Sequence, residues 1–199
     1  MPITPRLAAL LTILLASPCH SAGPSFDCAK ANHDMEDLIC ADDDLAALDR
    51  HMAEAYAVAR KNYPASETKT LKADQRDWVK DRNDCWKTDD KHACATYAYR
   101  SRITELELTS GTLVVPEPVY YRCDGGPYDY LTAIFYRNTA MPAVVLTLSW
   151  VEGHDGQIIA FLQPGGSAAR YSDGSSAFWE HHSEATLEAN GKQSTCKKQ

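Results

Sequence analysis

At Val119 the spacing of apolar residues changes, and no other feature constrains the fold of this chain as strongly. Before it, Leu45, Leu48, Met52, Ala55, Tyr56 and Ala59 recur every three or four residues, which lines one face of a helix. After it, Val144, Leu146, Leu148 and Trp150 alternate with Val145, Thr147 and Ser149, the pattern of a strand with one buried face. Residues 130–137 and 157–163 read the same way. Turn signals fall at Asp124-Gly125-Gly126-Pro127, Arg137-Asn138, between Glu152 and Gly156, at Pro164-Gly165-Gly166 and at Asn190-Gly191. About eight short strands at this spacing suggest a closed or nearly closed antiparallel barrel. Between the two regimes, residues 109–118 contain Ser110-Gly111 and Pro116-Glu117-Pro118 and read as a short, stiff linker. The expected fold class is therefore multi-domain α + β, a small helical domain (residues 23–108) followed by an antiparallel eight-stranded β-barrel (residues 119–199).

The first 22 residues carry one basic residue, Arg6, ahead of the apolar run 7–16. That run is too short to span a bilayer and matches the core of a secretory signal peptide. Cleavage after Ser21 or Ala22 would release a periplasmic or secreted protein without a membrane span. A lipoprotein anchor on Cys19 is the competing reading. Pro18 weighs against it, because a small Gly, Ala or Ser is expected there.

Without the leader, six cysteines remain: Cys28, Cys40, Cys85, Cys94, Cys123 and Cys196. An even set in an exported chain argues for disulfides, and the lack of a Cys-x-x-Cys pair weakens redox and zinc readings. Residues 23–118 hold 13 basic and 19 acidic residues (net −6), and residues 119–199 hold 6 and 8 (net −2). This balance disfavours nucleic acid and anionic lipid and favours cationic partners.

In the helical half, Asp42 or Asp43 can cap a helix that runs to Asn62-Tyr63-Pro64, with acidic residues at its start and Arg60-Lys61 at its end. Further helices are expected over about 66–83 and 93–107. The helix after Cys40 and the helix before Cys85 would form an antiparallel hairpin with both cysteines at one end. That topology favours Cys40–Cys85 with Cys28–Cys94 over the two other pairings. Cys123 and Cys196 lie near the first and last strands, where a bond would clip the barrel shut. Each bridge typically contributes ~2–4 kcal/mol, help that a core of this size needs.

Two stretches carry family resemblances. Phe26-Asp27-Cys28-x-Lys30, Glu36-x-x-Ile39-Cys40, Leu45-x-x-Leu48-Asp49, Tyr56, Gln75-Arg76-x-Trp78, Arg82-x-x-Cys85, Cys94 and Tyr99-x-x-Arg102-Ile103 resemble the N-terminal domain of LprI-type lysozyme inhibitors. In the barrel half, Arg170-Tyr171 and Phe178-Trp179 read as short strand pieces flanking a polar turn, and the Gly- and Ser-rich stretch 165–179 as a whole reads as a loop held up by a β scaffold, where binding residues tend to sit. It resembles the signature of the periplasmic and membrane-bound inhibitors of chicken-type (C-type) lysozyme, roughly Ser-Gly-x-x-Tyr then Phe-Trp-x-Lys-Gly-x-x-Ala. The matching residues are Ser167, Ala168, Tyr171, Phe178, Trp179, His181, His182 and Ala185. Ala168 replaces the glycine of the first part, and His181-His182 replaces Lys-Gly in the second.

The resemblance implies an inhibitor whose partner is C-type lysozyme. A muramidase cleft holds one protonated and one ionised carboxyl group. A loop bearing a hydroxyl and a cation can bond and charge-pair with them while offering no scissile bond. Ser167 would bond the carboxyls, Tyr171 would buttress the loop, His181 would stand in for the lysine, and Arg170 and His182 complete the lysozyme-binding set. Other chemistries are weaker. A hydrolytic triad of Ser167, Asp173 and His181 or His182 lacks a nucleophile elbow. A metal site on His154, His181 and His182 lacks supporting carboxylates, and adjacent histidines on one strand point different ways. Tyr120, Tyr121, Tyr128, Tyr130, Phe135, Tyr136 and Trp150 read as barrel core and rim, not a ligand cavity. No cofactor, metal or enzymatic activity is expected. The alternative function is an envelope binding or scaffold protein that keeps the fold without inhibiting.

Overall fold

The computed structural model describes residues 22–150, 153, 155–165 and 169–199. All but the last residue of the expected leader, with Cys19, lies outside them. Four helices form the first half: α1 (Asp34–Ala41), α2 (Asp43–Asn62), α3 (Thr68–Asn83) and α4 (Lys91–Thr109). Three of these correspond to the expected helices. The fourth, α1, exists because Asp42 takes an extended conformation (φ −118°, ψ 116°) and interrupts the helical run. Its carboxylate then accepts from the Leu45 amide at 2.9 Å and starts α2.

That break overturns the expected pairing of the helical cysteines. The disulfides are Cys28–Cys40 and Cys85–Cys94. Cys40 belongs to α1, which turns back towards the single 3₁₀ turn Cys28–Lys30, so its near neighbour is Cys28. Likewise the 3₁₀ turn Asp84–Lys87 and the Asp90 cap reverse the chain between α3 and α4, and Cys85 meets Cys94. Each bridge staples a local turn, and neither ties α1 to α3.

Several buried polar side chains in the helical core find specific partners. Tyr99 donates to Asp49 Oδ1 at 2.8 Å and accepts from Arg82 Nη1 at 2.8 Å, all three being almost fully buried. Ser25 closes the other carboxylate oxygen through its amide at 2.7 Å and its hydroxyl at 2.5 Å. Arg102 donates to Gln75 at 3.0 Å, and Trp78 donates to the Ala98 carbonyl at 3.1 Å. A buried charge needs such partners, because removal from water is otherwise prohibitive.

The second half is a closed barrel in simple sequence order: β1 (Val119–Asp124), β2 (Tyr128–Tyr136), β3 (Ala143–Trp150), β4 (Asp155–Leu162), β5 (Ala169–Ser172), β6 (Ala177–His181), β7 (Glu184–Ala189) and β8 (Lys192–Lys198). Every neighbouring pair is antiparallel, and β1 pairs with β8 to close the sheet. Cys123 lies opposite Cys196 in that closing ladder and is bonded to it. Tyr121, Tyr128, Leu131, Leu146, Leu148, Phe178 and Leu187 fill the interior. Tyr120 and Tyr130 point outward and are more than half exposed, so the aromatic set divides by the strand's two-residue period. No helix among the described residues is long and apolar enough to cross a membrane.

The halves are joined by more than the linker. Ala140, in the β2–β3 loop, packs against the helical core. Beside it Met141 shares two hydrogen bonds with Thr104 of α4.

Candidate functional site

Because successive strands are antiparallel neighbours, their connections alternate between the two ends of the barrel. Among the described residues, one end carries the β2–β3 loop (137–142), the base of the β4–β5 connection (163–165), the β6–β7 turn (182–183) and the C-terminus. The opposite end carries 125–127, 153, 173–176 and 190–191. The stretch 165–179 is therefore not one loop. Its Ser- and Gly-rich centre is a tight turn between β5 and β6, at the end away from residues 163–168. There Asp173 accepts from the amides of Ser175 and Ser176 at 2.8 and 2.6 Å, and Gly174 takes φ 93°. β6 separates Asp173 from His181, roughly 16 Å at the usual strand rise. The triad reading fails on that distance.

Ser167 and Ala168 lie outside the described residues, as does His154. The base of their loop is described. The Gln163 amide donates to the Arg170 carbonyl at 2.8 Å, extending the β4–β5 ladder past Leu162 and Tyr171. The Leu162 amide donates to the Pro142 carbonyl at 2.8 Å, holding the β2–β3 loop alongside. Tyr171 faces inward at 6% exposure, with Phe135 and Phe178 around its ring. Arg170, one residue earlier, faces outward over Trp179, 5.2 Å from the ring centre.

The β6–β7 turn stands at the same end. His181 and His182 are exposed, with ring centres 4.0 Å apart in an edge-on arrangement. Alternation along a strand would send them to opposite sides. His182, however, has left the strand and takes φ 59°, which swings its ring back beside His181. This is the position where the inhibitor signature has glycine, the residue that adopts positive φ most easily. Among the described residues, no group of three or more His, Cys, Asp or Glu is placed to hold a metal.

Glu180 escaped the sequence reading. It follows Phe178 by two and so shares the inward register of β6, the one signal that could have revealed it. Its carboxylate accepts from the Tyr121 hydroxyl at 2.9 Å. Burial, reinforced by the bond to Glu180 and by its charge, pushes the Tyr121 phenol well above its ordinary range. The Tyr171 phenol is raised too, chiefly by burial; Arg137 opposes that shift and Glu180 adds to it. Under the loop end of the barrel there is thus a carboxylate with tyrosines around it and an arginine nearby, flanked by the histidine turn.

Comparison with known proteins assigns both halves. The family of lysozyme inhibitor LprI matches residues 28–110, and the family described as membrane-bound lysozyme-inhibitor of c-type lysozyme matches residues 121–195. Both are families of inhibitors and not of enzymes. Fold and sequence therefore define a protein of the lysozyme-inhibitor class, helical in its first half and a barrel in its second. The chain belongs to the LprI family: it is 31% identical over 205 residues to Lipoprotein LprI of Mycobacterium bovis and of two strains of Mycobacterium tuberculosis, covering 96% of this chain and 98% of each relative. No solved structure gives a significant match.

Proposed function

We propose that this protein blocks C-type lysozyme by presenting the barrel end that carries the 163–168 loop and the His181-His182 turn to the muramidase cleft. Ser167 enters the cleft and bonds its catalytic carboxyls. His181 supplies positive charge from the neighbouring turn, with Arg170 and His182 at the contact. Tyr171 holds the loop from below, by its packing in the barrel. One observation supports the reading: Gln163 and Ala169, which flank the Ser167 segment, lie at the same end of the barrel as the His181-His182 turn.

The setting is the cell envelope of a bacterium, where exposed peptidoglycan needs protection. Cleavage after Ser21 or Ala22 gives a periplasmic or secreted form. The relatives are named lipoproteins, and here Cys19 would be the residue to take the lipid. The mass of the mature N-terminus distinguishes the two.

Turnover of C-type lysozyme, measured with increasing amounts of the purified protein, tests the function. Ser167→Glu tests the mechanism, since a carboxylate would face the cleft's own carboxylates in a desolvated contact and abolish inhibition. A scaffold protein that merely keeps the fold would leave turnover unchanged at every concentration.

A further inference from the structure

We infer that α4 forms a second docking surface for the same lysozyme molecule, beside the loop that leaves the barrel at Pro164. The inference rests on the proposed function and extends its contact to the helical half.

A groove of about 490 Å³ runs between α4 and the loop end of the barrel. Ala93, Tyr97 and Arg100 form its helical wall, and Met141, Pro142 and Pro164 form its barrel wall. The helical residues follow the spacing of a single helix face. The opposite face of α4 buries Ala95, Tyr99, Ile103 and Leu106 in the helical core. Tyr97 stays 41% exposed, with His92, Thr96 and Arg100 on its own helix and the apolar barrel wall of Met141, Pro142 and Pro164 across the groove. A half-exposed tyrosine facing an apolar wall is the residue type that anchors protein interfaces.

Three features name the occupant. The first is continuity, since the groove's barrel wall ends at Pro164, where the 163–168 loop begins. The second is area. A stable complex buries roughly 800 Å² on each partner and engages about 20–30 residues. The six residues between β4 and β5 and the two between β6 and β7 fall far short of that. A protein seated on them must also rest on adjoining surface, and on the Pro164 side that surface is α4. The third is long-range charge: the helical half carries net −6 and steers a cationic protein such as a basic lysozyme towards it, while the groove's own charged side chain is Arg100. The offset between α4 and the loop is fixed by the Thr104–Met141 bonds and by the Leu162–Pro142 bond. Binding then requires little ordering of the two halves.

The test uses the full-length protein and measures lysozyme affinity and inhibition for Tyr97→Ala, Ala93→Arg and Ser167→Glu. Melting temperatures check that the fold is kept. The expected result is a loss of about tenfold or more for Tyr97→Ala, a larger loss for Ala93→Arg, and abolition by Ser167→Glu. Abolition by Ser167→Glu with both α4 variants within twofold of wild type would overturn this inference and leave the proposed function standing. Inert Ser167→Glu with weakened α4 variants would keep the groove as a docking surface and sink the loop mechanism. Sedimentation settles a rival occupant: a dimer dispersed by Tyr97→Ala with inhibition unchanged would assign the groove to a second copy of the chain and overturn the inference.

Discussion

The hydroxyl of Thr104 accepts from the Met141 amide at 2.9 Å and donates to the Met141 carbonyl at 3.2 Å, so one fully buried side chain satisfies both backbone groups of a residue in the other half of the molecule. Thr104 sits in α4 and Met141 in the β2–β3 loop, with Ala140 beside it against the helical core. The junction is therefore a specific polar lock set in apolar packing, which a flexible tether would not provide.

Thr104→Val keeps the shape and removes the hydroxyl. The Met141 amide loses its partner and the Met141 carbonyl keeps only the Thr139 hydroxyl, at 2.7 Å, at a cost of roughly 1–3 kcal/mol. Denaturant unfolding should show that loss, and the Met141 amide should exchange with solvent markedly faster. Unchanged exchange would mean that packing alone holds the junction.

Asp49→Ala should be more damaging. It leaves Arg82 buried without its carboxylate and strips partners from Tyr99 and Ser25, so a loss of about 3–5 kcal/mol is expected. Circular dichroism melts would report it as a large fall in the midpoint of the helical half. A fall of only a degree or two would show that water replaces the carboxylate.

The same cluster marks where the sequence could be read and where it could not. The period change at Val119 and the alternation through Trp150 gave away the barrel, because burial on one face imposes a two-residue period. Gln75, Arg82, Tyr99 and Arg102 were visible as a family pattern, but nothing in their spacing says that they turn inward to pair with one another. Pairing of buried polar groups is a tertiary property. The Cys123–Cys196 bridge was legible, but the two helical-half pairings were not, for a related reason: a single extended residue, Asp42, splits one helical run into two and redirects Cys40. At the candidate site, Tyr171 and the histidine turn were legible as a signature. That the Asp173 turn projects from the opposite end follows only once strand order is known.

Alkaline titration offers a readout without mutation. Tyr99, Tyr121 and Tyr171 all have phenols raised above their ordinary range, with burial the first cause in each. In the unfolded chain they would ionise near pH ~10. The fold favours their neutral forms, so the stability tied to them is full below that pH and is lost as pH rises towards the raised folded values. Among the ten tyrosines, these three should stay silent in tyrosinate absorbance until the protein unfolds. Smooth ionisation of all ten while the near-ultraviolet circular dichroism stays native would contradict their burial.

His182→Gly restores the residue that the inhibitor signature carries at a position with φ 59°. A non-glycine residue there is strained by about 1 kcal/mol, and the gain from relief is partly offset by the freer unfolded chain. A small rise in melting temperature is expected, whereas His182→Val should lower it. If valine were tolerated as well as glycine, the turn would have to adopt another conformation.

His181 stands where the signature has lysine, and the two side chains differ in how their charge depends on pH. Lysine stays charged throughout the neutral range, whereas the imidazole of histidine ordinarily titrates within it. In the proposed complex His181 faces a lysozyme carboxylate, which favours the imidazolium. Linkage fixes the sign: binding takes up protons, so inhibition is strongest in mildly acid medium and fades as pH rises. His182, its ring 4.0 Å from that of His181, brings a second imidazole to the same turn. Inhibition constants for wild type, His181→Lys and His181→Gln, compared at each pH from about 5 to 8, cancel the titration of lysozyme itself. The lysine variant should hold its affinity at the alkaline end. The glutamine variant should lose the advantage that wild type has at the acid end. Three parallel curves would place His181 outside the contact and leave the charge of the loop to Arg170.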